Sequence, residues 1–300
     1  MVKKEFDYII IGGGINSLIS AALLSQKNKS VILFESNNTV GGMASTTEFS
    51  NGFRCNLVYD YIKWIDDRLI KKLNIDKSSL KFIENDIYRI SLNSKDGKHL
   101  FFSRDINQTV KSINSISKSD SEKWIAFNKY ISKITSFLKP LYKTTPPNIK
   151  NIGLSDAISL KEMVKPMWSH GTRGFVDILR TLPMMMPELL DEWFDSELLR
   201  GTISASGVKH LNQGPYSAAT VLNFLHQNLY SDSEILDSKF IFGGTSNFSK
   251  ILEDKAIENG TEIKLNSKVV SIDCNDNISE GVTLENGDKF FGKNIISGLD

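Results

Sequence analysis

A short apolar strand, a run of three glycines and an amphipathic stretch at helical spacing predict an α/β fold built on a Rossmann-like βαβ unit. Phe6-Asp7-Tyr8-Ile9-Ile10-Ile11 is rich in aromatic and β-branched residues and reads as a buried strand ended by Gly12-Gly13-Gly14. Ile15, Leu18, Ile19, Ala22 and Leu23 then recur at a spacing that puts them on one helix face. Asn28 and Lys29 close that helix. Val31-Ile32-Leu33-Phe34 is a second buried strand, with Glu35 at its carboxyl end.

The middle of the chain has another character. Tyr88–Leu92 and His99–Phe102 flank Asp96-Gly97, which predicts a hairpin. Pro146-Pro147 reads as an exposed bend. Pro183 and Pro187 bracket Met184-Met185-Met186, ahead of an acidic, aromatic stretch from Leu189 to Phe194. From Phe242 onward Gly243-Gly244 leads into a helix over 246–259, with Phe248, Ile251, Leu252 and Ala256 inward and Gly260 as its cap. Short strands follow at 262–265, 269–274, 281–284, 289–291 and 294–297, the third and fourth joined by an Asn286-Gly287 turn. The expected organisation is a first part of the nucleotide domain over 1–60, an inserted α+β substrate domain over 61–241 and an incomplete return segment over 242–300. A strand that stops three residues before the last position, Asp300, predicts that a C-terminal part is missing and that the sequence is a fragment.

Composition narrows the classes. Lys and Arg number 36 against 35 Asp and Glu, without the basic excess of a nucleic-acid binder. A hydrophobic share of 40% with 24% charged residues is that of a core-forming chain, and 300 residues admit two domains. Cys55 and Cys274 lie far apart, so they form neither a CxxC redox pair nor, by themselves, a metal site. Tyr8–Gln26 carries no charge and follows Lys3 and Lys4, but glycines break its apolar run. Glu5 and Asp7 also stand where a targeting peptide avoids acids. The expected location is cytoplasmic, with a peripheral membrane contact left open, or the mitochondrial matrix in a eukaryote.

Gly12-x-Gly14-x-x-Ser17 carries the chemistry. Gly12 permits the tight turn, Gly14 lets a diphosphate approach the backbone, and the third position needs a small residue so that helix and strand pack closely. The helix start behind it offers free N–H groups and a positive dipole end. Glu35 is set to accept hydrogen bonds from ribose hydroxyls and to repel a 2′-phosphate. Gly41-Gly42 gives a second close backbone approach. No second glycine loop with a strand–turn–helix setting is read at 171–174 or 243–244, which argues against a separate NAD(P)H domain.

The run from Gly12 to Leu18, with Glu35 through Gly41-Gly42-Met43-Ala44, resembles the FAD fingerprint of the phytoene desaturase and amine oxidase class of flavoproteins. The stretches from Leu190 to Gly201, Ala205-Ser206-Gly207-Val208 and Phe242-Gly243-Gly244-Thr245 resemble its phytoene dehydrogenase-like subgroup, called pyridine nucleotide-disulfide oxidoreductase domain-containing protein 2. The resemblance implies a two-domain flavoprotein of the glutathione reductase-like FAD/NAD(P)-binding class. Gly12, Gly14, Ser17, Glu35, Gly41 and Gly42 would face the ADP half of FAD, and the Val269 backbone would meet adenine. It also implies that the segment closing over FAD lies beyond these residues, and that a small apolar molecule is the substrate. The first expectation is hydride abstraction from an apolar C–C or C–N bond. A non-catalytic flavin- or partner-binding regulator and a carotenoid desaturase proper are the alternatives. His170, His210 and His226 are weak general-base candidates, since the flavin carries the hard chemistry. Arg54 is weighed between a cofactor contact and a surface ion pair, and Met184–Met186 between a substrate channel and core packing.

Overall fold

A computed structural model describes residues 5–60, 65–93, 97–144, 176–231 and 239–299, with isolated positions at 146, 153, 161, 171, 174, 235 and 236. Packing divides the chain into two units, residues 1–83 with 239–300, and residues 84–238.

The first unit opens as the glycine pattern requires. Strand β1 (Glu5–Ile11), helix α1 (Ile15–Ser25) and strand β2 (Val31–Phe34) follow in order, and β1 and β2 pair in parallel with Ile9 opposite Ile32. Their side chains alternate between two cores. Ile10, Val31 and Leu33 pack with the helices, whereas Ile9, Ile11, Ile32 and Phe34 pack on the other face. Asn28 takes the left-handed conformation (φ 58°) just after α1, where a short amide side chain is tolerated. After β2 come a hairpin of β3 (Thr46–Ser50) and β4 (Phe53–Asn56), helix α2 (Asp67–Lys72) and strand β5 (Phe82–Ile83).

The second unit begins with β6 (Ile87–Leu92) and β7 (His99–Ser103), paired antiparallel as the hairpin pattern predicts; Asp96 of the turn lies outside the described residues. Helices α3 (Ile106–Asn114), α4 (Lys118–Lys143), α5 (Met186–Asp191), α6 (Glu197–Gly207) and α7 (Thr220–Asn228) follow. Its core is aromatic, with Trp124 5.5 Å from Phe102 and Phe127 4.9 Å from Phe194 between ring centroids. Such pairs add about 0.5–1.5 kcal/mol each beyond area burial. Met186 is fully buried in this core, and a Cβ on Gly207 would overlap its side chain. Packing therefore accounts for Met186, while Met184 packs at the edge of the same core.

The chain returns to the first unit through β8 (Phe240–Ile241), which pairs antiparallel with β5. Helix α8 (Ser246–Glu258) and strands β9 (Glu262–Lys264), β10 (Val269–Asn275), β11 (Ile278–Leu284) and β12 (Lys289–Ser297) complete it. The sheet runs β10-β11-β12-β1-β2-β9. Strands β12, β1, β2 and β9 are parallel, and β10-β11-β12 is an antiparallel meander.

Three features differ from the sequence reading. Residues 289–291 and 294–297 belong to one strand, because Gly292 interrupts the apolar pattern without breaking the backbone. A Cβ there would come within 2.7 Å of Ile9 Cγ1, so the glycine lets β12 lie close against β1. The buried face of α1 is Ser17, Leu18, Ala21, Ala22 and Ser25, with Ile15, Ile19 and Leu23 only partly buried. Small residues bring α1 against α8 and the segment after it. Ser25 Oγ bonds Thr261 Oγ1 at 2.8 Å, and Asn259 Nδ2 donates to Ala22 O at 3.1 Å. The unit break falls after residue 83 and before 239, not at 60/61 and 241/242. Ile70, Leu73, Ile75 and Leu80 join the helix-side core of the first unit, and the β5–β8 ladder holds both chain crossings.

Among the described residues no helix is long and apolar enough to cross a membrane. In the second unit the fully buried Asp120 accepts from the N–H groups of Asp195 (2.9 Å) and Ser196 (2.8 Å), ahead of α6. Replacing it with alanine strips both donors of their acceptor. The variant Asp120→Ala is expected to lower unfolding free energy by about 2–3 kcal/mol in urea titration.

Candidate dinucleotide-binding site

The turn between β1 and α1 forms one wall of a cavity of about 860 Å³. Gly12 to Ser17, Gly41 and Gly42 border it on one side, Glu35, Ser36 and Asn37 at the end of β2, and Lys268 and Val269 at the start of β10. Met43, Leu57, Tyr59 and Phe248 add an apolar part. The motif residues Gly12, Gly14, Ser17, Glu35, Gly41, Gly42 and Val269 thus converge on one concavity.

Each glycine is present for its own reason. Gly12 has φ 91°, in the left-handed region, which the tight turn after β1 imposes. A Cβ on Gly13 would lie 2.9 Å from Glu35 Oε2, so packing forbids one. Gly14 is different. Its φ of −68° and ψ of 168° suit any residue, and a Cβ there would meet nothing within 4 Å. Neither backbone nor neighbours require glycine, and the space in front of it belongs to the cavity. A group drawn up to the main chain at the start of α1 fits that cradle. Gly41 (φ 124°) pairs with Gly14 in an isolated parallel bridge, its N–H donating to Gly13 O at 2.8 Å. A Cβ on it would also crowd Ser249 Oγ at 2.8 Å.

Ser17 is 3% exposed, and its Oγ has no hydrogen-bond partner among the described residues. A Cβ on Gly298 would overlap that oxygen. The third motif position is therefore held small by the strand end beside it, where Gly298 N donates to Ile11 O at 2.9 Å.

Glu35 is 6% exposed and closely held. Its Oε2 accepts from Gly13 N at 2.5 Å. Its Oε1 accepts from Asn37 N (2.9 Å), Asn37 Nδ2 (2.8 Å) and Ser36 Oγ (3.1 Å). Ser267 N donates to Glu35 O (2.8 Å) and Asn266 N to Asn37 O (2.9 Å), which draws Val269 to the same end of the cavity. Lys268 and Glu35 are the charged residues of the lining, and Lys268 Nζ is paired with Glu285 at 2.8 Å.

Sequence reasoning missed the polar stitch behind Gly41-Gly42. Thr46 N donates to Ser246 Oγ (2.6 Å) and Ser246 N to Thr46 Oγ1 (3.2 Å). Asn56 Oδ1 accepts from Thr46 Oγ1 (2.8 Å) and Thr245 N (3.0 Å). The only available signal was a cluster of Thr, Ser and Asn beside glycine pairs. Gly243-Gly244 does stand between a strand and a helix, β8 and α8, contrary to expectation. A Cβ on Gly244 would overlap Thr46 Oγ1 and approach Asn56 Oδ1 to 2.8 Å, so the protein itself fills the space a phosphate would need.

The other candidates lie elsewhere. Arg54 is exposed on β4 opposite Glu48 and is not in the cavity lining. His170 lies outside the described residues. His210 takes a left-handed conformation (φ 62°) after α6. His226, on α7, meets Tyr142 through Nδ1 at 3.0 Å, and burial lowers its pKa from the usual 6.5.

With the site described, comparison with known proteins defines its class. Residues 10–71 match a model of the NAD(P)-binding Rossmann-like domain. Pyridine nucleotide-disulfide oxidoreductase domain-containing protein 2 of Rattus norvegicus is 22% identical over 310 residues, 99% of this chain and 53% of that protein. The 4,4'-diaponeurosporene oxygenase of Staphylococcus haemolyticus is 25% identical over 298 residues, 97% of this chain and 55% of that protein. Putrescine oxidase bound to putrescine superposes with a TM-score of 0.62 at 16% identity, over 99% of this chain and 58% of the other. The chain has the Rossmann-like α/β fold of NAD(P)- and FAD-binding proteins. It spans about half the length of the curated relatives it matches.

His226 gives the second unit a pH signature. A lowered folded pKa means that the unfolded chain binds the proton more readily, so stability rises with pH. Stability is expected to fall as pH drops through about 6.5 and below, and His226→Gln should flatten that slope in thermal melts recorded between roughly pH 5 and 8.

Proposed function

We propose that this chain carries the cofactor-binding part of an FAD-dependent oxidoreductase that removes a hydride from an apolar C–C or C–N bond, as phytoene dehydrogenase-like enzymes do. The observation that carries the reading is the open space before Gly14, in a cavity whose lining also has an apolar part. The start of α1 would receive the diphosphate, Glu35 the ribose, and the Val269 segment the adenine. Bound FAD would supply the hydride-accepting ring that these side chains lack. Met43, Leu57 and Tyr59 would exclude water from the apolar part of the cavity.

The names of the relatives support an oxidative reaction, and the diaponeurosporene oxygenase favours a runner-up in which the substrate is a carotenoid. We place the substrate among small apolar molecules and the protein in the cytoplasm, touching a membrane peripherally when it meets a greasy substrate. Co-expression with phytoene, followed by pigment analysis, separates the carotenoid reading from the general one.

Two measurements test the proposal. Titration with FAD should give a saturable flavin spectrum. Gly14→Ala should change stability by less than about 1 kcal/mol, as expected for a helix-cap position, yet weaken FAD binding more than about tenfold. Equal affinity in the two proteins would refute the cradle. Anaerobic mixing of the flavin-loaded protein with a panel of isoprenoids and amines should bleach the visible flavin band; a band that persists throughout would favour a regulatory binder.

A further inference from the structure

Glu35 arrives at the cavity with most of its hydrogen-bonding capacity engaged. A carboxylate offers about four acceptor positions. Gly13 N, Asn37 N, Asn37 Nδ2 and Ser36 Oγ supply four donors, at 2.5, 2.9, 2.8 and 3.1 Å. Three of the four come to Oε1. Oε2 takes a single one, so the room for a sugar hydroxyl is at Oε2 or at the position of the longest bond, that of Ser36. Asn37 does the most to fix this arrangement, because its main chain and its amide both grip the same oxygen. Its carbonyl also accepts from Asn266 N at 2.9 Å, which ties the grip to the segment leading into Val269.

We propose that Asn37 is a positioning residue that sets selectivity for an adenosine ribose bearing a free 2′-hydroxyl. It acts through Glu35. By pinning Oε1 it presents Oε2 to a hydroxyl and keeps the negative charge at the wall, where a 2′-phosphate would meet it. Without the amide, Oε1 is left to the Asn37 main-chain and Ser36 donors, and the carboxylate gains freedom about its terminal torsion, which is broad for Glu, so that a phosphorylated ribose meets a less firmly placed charge. The assignment rests on the reading of the cavity as an adenine-dinucleotide site. It concerns the adenosine part that FAD and NAD share, so it holds for either.

The test measures affinities of the full chain for ADP-ribose and for its 2′-phosphorylated derivative by calorimetry, in wild type, Asn37→Ala and Asn37→Ser. The wild type should prefer ADP-ribose by more than about tenfold, in line with one like-charge contact. Asn37→Ala should bring the two affinities within about threefold of each other, mostly by admitting the 2′-phosphate. Asn37→Ser retains a short donor able to reach Glu35 and should recover most of the preference. A purely structural role would weaken both ligands in parallel and leave their ratio unchanged, and that result overturns the proposal alone. Wild-type protein that binds neither ligand overturns it together with the dinucleotide reading. Thermal melts of the three proteins identify any variant that fails to fold. If Asn37→Ala does not fold, Asn37→Leu, which also lacks the amide, takes its place: affinities within about threefold of each other support the assignment, and a ratio equal to that of wild type overturns it.

Discussion

One buried carboxylate holds the nucleotide-binding end of the first unit together. Glu35 takes the Gly13 N–H on one oxygen and the Asn37 donors on the other, and its carbonyl accepts from Ser267. Three chain segments far apart in sequence, the turn after β1, the end of β2 and the approach to β10, are thereby fixed to one another. A charged acceptor with several short N–H bonds, almost fully removed from water, is stronger than a neutral one and expensive to disrupt. The shape of the cavity follows from that knot. The glycine turn cannot shift without losing its acceptor, and the end of β2 cannot move without dragging the Val269 segment along.

The second glycine pair depends on a different device. Gly41 pairs with Gly14, and the loop behind it is sewn to the start of α8 by Thr46, Asn56, Thr245 and Ser246. These hydroxyl and amide bonds are individually modest, each about 0.5–1.5 kcal/mol net. Their effect is geometric, since they bring two glycine-rich turns into contact and leave the space in front of Gly14 unfilled. Gly14 and Gly244 make the contrast plain. Both follow a strand and precede a helix, but the protein packs against one and leaves the other open.

Much of this was legible in the residues. The β1–α1–β2 unit, the glycine turn and Glu35 at the strand end could be read locally, because strand period, helical period and turn chemistry are short-range properties. The hairpin at 87–103, helix 246–258 and the Asn286-Gly287 turn were readable for the same reason. The face of α1 was less so. Hydrophobic periodicity marked Ile15, Ile19 and Leu23, but close helix packing selects small side chains, and Ser17 and Ser25 read as polar. The hairpin of β3 and β4 passed unrecognised, since a short exposed ladder with polar residues leaves no alternating apolar signal.

The amino-acid sequence alone determined the first strand–helix–strand unit, where glycine must turn the chain within it, and which acid stands behind the turn. Only the tertiary structure decided that β12 is one strand lying against β1, that the unit break falls at 83/84, and which glycine faces open space. Those outcomes depend on what packs against each residue from distant parts of the chain. Gly14 and Gly244 share a strand–turn–helix setting, yet they differ in backbone, φ −68° against 96°, and in what the rest of the molecule puts before them.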